Sequence, residues 1–221
     1  TTVVTATWAL GTHRAAELGD ALAVLGAGKP RMLGYADARI PQSAPRMPRL
    51  CDAPVDDVVE ALVGHIRELR PDTVVTHDAY GQLTGHPDHI HTHRVTLLAV
   101  HAAGLRHLYP HAGAPWQPNA LYMATHPESG TDELSSLLQR VGKTARSAPD
   151  EQVTATVDVS PWAETKWEAI LAHRSQVESQ RSLPALLSAL DPDARHRILA
   201  TEWFTRLNIK SASGPLRHLT L

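Results

Sequence analysis

The sequence predicts an α/β fold, a mostly parallel sheet with helices on both faces and a small α+β extension at its C-terminal end. Three observations carry that prediction. Runs of β-branched residues alternate with helix-periodic segments through residues 1–125. The chain has 221 residues, 43% of them hydrophobic and 20% charged, enough to bury one sizeable core. After Thr125 the pattern changes to polar helices and separate strands. Residues 1–125 are therefore read as the core, and residues 126–221 as the part of the same domain that completes core and pocket.

The elements follow in order. Thr2 to Thr7 is a β-branched run and predicts a buried strand. Thr12 can cap a helix from His13 to about Leu25, which Gly26 stops. Arg31 to Tyr35 is a short strand, and Ile40 to Pro54 is a proline-rich surface loop. Val55, Val58, Val59, Leu62, Val63, Ile66 and Leu69 fall at helical spacing, so Val55 to Leu69 is an amphipathic helix ended by Pro71. Thr73 to Thr76 is a strand, His77 to Gly85 a polar loop, and Pro87 opens a helix to about Ala103. Ala120 to Ala124 is a further strand. Beyond it come a helix from Asp132 to about Gly142, a strand from Val153 to Val159, and one long helix from Pro161 to about Ser179. In such sheets ligands bind at the carboxyl ends of the strands, which is where the loop after Thr76 lies.

Bulk properties narrow the function. A net charge of −2 gives no basic field for nucleic acid or anionic lipid. No apolar run approaches the length of a membrane span. Thr1 to Thr5 lacks the basic region of a signal peptide, and the single cysteine, Cys51, excludes an internal disulfide framework; a reducing cytoplasm is the expected compartment. No G-x-G-x-x-G follows a strand, which removes the main support for a dinucleotide site.

The chain holds 14 histidines, and His86, His89, His91 and His93 fall within one short stretch. Histidine is the commonest metal ligand and the side chain that titrates nearest neutrality. His86 and His89 are spaced to share a helix face, as are His89 and His93, so either pair can face one metal or one pocket. Asp88 can orient an imidazole and fix its tautomer. For His91 and His93 the plainer reading is a solvated helix face.

Gly85-His86-Pro87-Asp88-His89, preceded by Val74-Val75-Thr76-His77-Asp78, resembles the second signature of the PIG-L/LmbE-like deacetylases. Arg14-Ala15-Ala16-Glu17-Leu18 with Leu25-Gly26 is similar to that family's first helix, Leu33-Gly34-Tyr35-Ala36-Asp37 to its aspartate-bearing segment, and Lys166 with His173-Arg174-Ser175-Gln176 to its late helix. The resemblance implies a Rossmann-like core and zinc-dependent removal of acetyl from an N-acetylglucosaminyl unit on a small glycoconjugate, such as a glycopeptide pseudoaglycone or a mycothiol precursor. It implies that His89 is a zinc ligand and that His86 lies beside the reacting carbonyl as oxyanion donor or acid. Asp88 then steadies an imidazole, while Arg14 and Asp37 contact the sugar or its aglycone. Lys166 and His173 are expected to be structural.

Two departures stand out. The family's other signature, Ala-His-Pro-Asp-Asp-Glu, is absent from this sequence. It carries the other zinc ligands and the general base after the first strand. Thr1 aligns with the second strand, so one strand and helix of about 30 residues is expected to lie outside the sequence. Without it, two ladder edges are expected to be exposed. The second departure is Thr84, which stands where relatives carry a carbonyl-polarising tyrosine, with Tyr80 the available substitute. The competing functional reading is a catalytically inactive sugar-binding domain. A metal held only by His86, His89 and His93 is a further alternative.

Overall fold

The structure, a computed structural model, describes residues 1–209. The parallel part is built from β1 (Val4–Thr7), α1 (His13–Val24), β2 (Arg31–Tyr35), α2 (Val55–Leu69), β3 (Thr73–His77), α3 (Pro87–Ala103) and β4 (Ala120–Thr125). The remainder holds α4 (Asp132–Gln139), β5 (Ala155–Asp158), α5 (Ala163–Leu171), α6 (Arg174–Val177), α7 (Leu183–Ser188), α8 (Pro192–Leu199) and β6 (Thr201–Asn208). β1 pairs in parallel with β2, and β3 in parallel with β4. β6 then adds antiparallel to β4, and β5 to β6, which makes the extension α+β. β1 and β3 each keep one edge without a ladder partner among the described residues, and Val75 on β3 is 61% exposed.

Local chemistry sets the helix boundaries. The Thr12 hydroxyl accepts from the Ala15 N–H and starts α1. α2 carries Asp56 and Asp57 in its first turn, where the helix dipole favours them, and ends at Arg70 in the left-handed region. Pro87 sits at the first position of α3, with His86 as the capping residue.

The main core lies between the α2–α3 pair and the strands. Leu50, Val58, Val59, Val63, Val95, Val100 and Leu121 are essentially inaccessible, and Ala6, Leu33, Tyr35 and Val74 of β1, β2 and β3 pack against them. A second cluster, Leu137, Trp167, Leu187 and Leu199, joins the helices of the extension. Arg67 of α2 is 3% exposed, and its guanidinium donates to the carbonyls of Ala102, Ala103, Leu105, Leu108, Tyr109 and Gly113. The last carbonyls of α3 and the loop after it are therefore held by one side chain.

The long helix expected from Pro161 to Ser179 is instead broken between Leu171 and Arg174. The reason is tertiary. Buried Glu17 of α1 accepts both the N–H and the hydroxyl of Ser175, at 2.7 and 2.8 Å, so the N–H that would bond the Leu171 carbonyl in a continuous helix is spent on α1. Burial works to raise the Glu17 pKa, but the two Ser175 hydrogen bonds together with the positive charges of Arg14 and His13 outweigh it and hold the carboxyl below its ordinary range. Lys166 ties α5 to the last turn of α8 through the Leu199 carbonyl at 3.0 Å and pairs with Glu202, a structural role as expected. No helix among the described residues is long and apolar enough to cross a membrane.

Candidate active site

The loop after β3 is shaped before it carries any chemistry. Asp78, buried, accepts from the Gln82 N–H and from the Thr125 hydroxyl, each at 2.8 Å, which pins the loop to the end of β4. Gly81 adopts φ +72°, and a Cβ there would stand 3.1 Å from the His86 carbonyl oxygen and 3.2 Å from the Ile90 nitrogen. Only glycine fits both the conformation and the space. The loop thus delivers His86 and His89 to the start of α3 at the carboxyl end of β3.

Hydrogen bonds place the protons on both imidazoles. His86 Nδ1 accepts from the Asp88 N–H at 3.3 Å, so its proton sits on Nε2, which is 3.9 Å from Asp37 Oδ1. His89 is the opposite case. Its Nδ1 lies 3.3 Å from the Gly81 carbonyl oxygen and donates to it, which leaves the Nε2 lone pair free. His77 stacks on the His89 ring, with centroids 4.1 Å apart and planes within 9°.

The carboxylates complete the centre. Asp88 is 4% exposed; its Oδ2 accepts from the Ala38 N–H at 2.9 Å and lies 3.6 Å from His86 Nδ1, while its Oδ1 is buried without a partner. Burial pushes the Asp88 carboxyl above its ordinary pKa. Asp37 Oδ1 accepts from the Arg39 and Ile40 N–H groups, which fixes the turn that presents it. Asp37, His86 and Asp88 are the one group of three such donors converging within 4.8 Å among the described residues.

Burial lowers the pKa of His86 and His89, and it lowers His77, with the neighbouring His89 adding to the effect, to about 4. A measurable consequence follows for stability. The unfolded chain binds a proton on His77 near pH 6.5, whereas the folded chain resists it until about pH 4. The unfolded state therefore binds more protons across that window, and stability falls as the pH drops through it. The limit for this one group is roughly 3 kcal/mol. Urea midpoints measured at pH 7 and pH 4.5 should show the loss, and His77→Asn should narrow the gap between them, the other buried histidines keeping part of it.

These groups open into a cavity of about 530 Å³, within the size range of small-molecule sites. Its walls bring together His86, Asp88, His89, Arg14 and Asp37, all five site residues read from the sequence. Arg14 Nη1 is buried without a hydrogen-bond partner, and burial lowers the Arg14 pKa. Thr84 also lines the cavity; Tyr80 does not, and at 44% exposed it is no substitute for a carbonyl-polarising tyrosine. The solvated reading of His91 and His93 is wrong, since both are 8% exposed. His93 Nδ1 donates to the His77 carbonyl at 2.9 Å and ties α3 to the end of β3; neither His93 nor His89 belongs to the converging group of Asp37, His86 and Asp88. Sequence reasoning missed Trp8 and His126, which also line the cavity. Each directly follows a strand of a parallel pair, β1 or β4, and that position was the available signal.

Imidazoles with backbone-assigned protons, set beside buried Asp88 and half-buried Asp37 at the carboxyl ends of parallel strands, place the chain in the α/β class with the groups that acid–base chemistry uses. The comparisons with known proteins agree and make the class specific. The family model described as PIG-L, GlcNAc-PI de-N-acetylase, matches residues 3–100. The chain is 38% identical to the 1D-myo-inositol 2-acetamido-2-deoxy-alpha-D-glucopyranoside deacetylase of Rhodococcus jostii (strain RHA1), covering 93% of this chain and 73% of that protein. It is 34% identical to the enzyme of the same name from Thermobifida fusca (strain YX), over 90% of this chain and 72% of that protein. The chain belongs to the PIG-L family of deacetylases. Among solved structures, N,N'-diacetylchitobiose deacetylase from Pyrococcus horikoshii superposes with a TM-score of 0.59 at 17% identity, covering 93% of this chain and 72% of that one. A conserved protein of Thermus thermophilus superposes with a TM-score of 0.58 at 20% identity, covering 100% of this chain and 84% of that one. At these identities the likeness concerns the fold.

Proposed function

We propose that this chain hydrolyses the N-acetyl group of an N-acetylglucosaminyl unit on a small glycoconjugate, releasing acetate and the free amine, with zinc as the metal. The observation that carries the reading is the opposite tautomers of the two signature histidines. His86 presents a proton and His89 presents a lone pair, both toward the same cavity.

The donor set fits a zinc ion in part. A ligating imidazole usually donates its other nitrogen to a carbonyl or carboxylate, as His89 does to Gly81, so His89 Nε2 is the donor we assign. The cluster of Asp37, His86 and Asp88 fits a metal less well, because Asp37 Oδ1 and His86 Nδ1 are already engaged by backbone N–H groups. Zinc held at such a site supplies a Lewis acid and a bound water of pKa about 7.

The residues present supply a proton donor, its partner and the contacts to the sugar. His86 Nε2–H donates to the oxygen of the acetyl carbonyl as negative charge develops there; once the ring carries a second proton it can pass one to the departing nitrogen and return to the neutral form. Asp88, 3.6 Å from His86 Nδ1, stabilises the imidazolium whenever that ring carries both protons. Arg14 and Asp37 orient the sugar hydroxyls as donor and acceptor on one wall of the cavity. The inositol conjugate named for the relatives is the first substrate to assay. The lone cysteine supports a reducing compartment.

The test is metal content. His89→Ala should leave the circular dichroism spectrum unchanged while the zinc retained after dialysis drops at least tenfold, since a ligating imidazole is removed outright. Equal zinc in parent and variant takes His89 out of the site.

A further inference from the structure

Trp8 has a backbone conformation that its side chain disfavours. Its φ is +71°, in the left-handed region where bulky residues are outliers. The conformation is enforced from both sides, by Trp8 N–H to the Tyr35 carbonyl at 2.9 Å and Ala9 N–H to the Ser43 carbonyl at 3.0 Å. Strain of this kind persists where surrounding structure over-determines it, and it concentrates at ligand sites. The indole gives nothing back to the core, because Trp8 stands outside the three hydrophobic clusters of the described residues. It lines the cavity instead, with Leu18, Met32, Leu183 and Pro184 as apolar companions.

The ring is steadied where it stands. The His13 imidazole meets it edge-on at 5.3 Å, and the Arg14 guanidinium lies 5.6 Å from its centroid. Its Nε1–H makes no hydrogen bond within the described residues, and Arg14 Nη1 is buried without an acceptor. A flat apolar face flanked by two unused donors matches a six-membered ring with an apolar face and oxygen substituents at its rim.

We propose that Trp8 determines which glycoconjugates the site accepts, its indole forming the platform for the ring joined to the anomeric carbon of the N-acetylglucosaminyl unit. This rests on the deacetylase reading and adds the residue that selects the aglycone ring. The contact is made equally in ground and transition states, so it acts through KM.

The zinc-loaded full chain is assayed for acetate release from N-acetylglucosamine and from its phenyl and cyclohexyl glycosides. Trp8→Gly, which also relieves the backbone strain, should raise KM for both glycosides about tenfold and leave the free sugar within about twofold. Trp8→Phe should restore most of the glycoside affinity. In parallel, tryptophan emission is titrated with the cyclohexyl glycoside, which does not fluoresce. The parent should show a saturable change that is lost in Trp8→Phe, although four other tryptophans remain. Equal KM effects on free sugar and glycosides, or an unchanged emission signal in Trp8→Phe, overturns the assignment. A Trp8-dependent signal without acetate release from any compound instead removes the deacetylase reading and leaves the ring platform standing.

Discussion

His86→Ala should keep its zinc and its affinity for substrate and lose turnover by about 10² to 10³, the range seen when an oxyanion donor is removed from a hydrolase. The expectation follows from where the proton sits. His86 Nδ1 is occupied by the Asp88 N–H, so the ring has Nε2–H to offer the reacting group and no lone pair there for a metal. Loss confined to kcat, with KM nearly constant, identifies an interaction made in the transition state. The neutral ring keeps Nε2–H at alkaline pH, so His86→Ala should lower the pH–rate profile as a whole without removing its basic limb. Metal content is the control that separates the roles. Loss of zinc together with activity would exchange the assignments of His86 and His89. Activity kept within a fewfold would remove Gly85-His86-Pro87-Asp88-His89 from the reaction altogether.

The second large effect is on stability and lies at the far end of the same helix. Arg67→Met should destabilise the fold by at least ~3 kcal/mol, because the carbonyls that Arg67 now satisfies, two of them in fully buried bonds, would lose a charged donor together. For a chain of this size that corresponds to a thermal midpoint lower by roughly 6–12 °C. Arg67→Lys should recover little of it. An ammonium group is a single point of charge, whereas the guanidinium spreads its donors across carbonyls from Ala102 to Gly113. A loss below about 1 kcal/mol in Arg67→Met would show that water satisfies those carbonyls equally well.

The contrast between these two residues shows what a sequence can convey. The placement of His86 was legible because it is encoded next to it: Gly85 permits the turn, Pro87 starts the helix, and Asp88 supplies the capping N–H. α2 and α3 were legible for the same reason, their periodicity and end signals being local. Arg67 was not, because its partners lie 35 to 46 positions away and nothing about an arginine on a helix announces six carbonyl acceptors. The break between α5 and α6 was hidden likewise, since a serine preceded by an arginine reads as a continuing helix until Glu17 claims it. His91 and His93 were misread as solvated because the pattern of α3 alone does not reveal that α2 and β3 cover it on separate sides. Trp8 was invisible for a different reason. A tryptophan after a strand signals core, and its left-handed φ exists only because Tyr35 and Ser43 hold the backbone on either side.

The bond between Glu17 and Ser175 spans 158 positions of chain, and it joins the helix that carries Arg14 to the segment that carries His173. Contacts of such separation cost loop-closure entropy before they return any energy, so we expect them to form late in folding, with Ser175→Ala speeding unfolding more than it slows folding. The wall of the cavity beside Arg14 is thus assembled after the β3–α3 unit has already positioned its imidazoles. A nascent or partly denatured molecule can hold the reaction centre and still lack the surface that orients a substrate against it, so competence to bind is the last property the chain acquires and the first it surrenders.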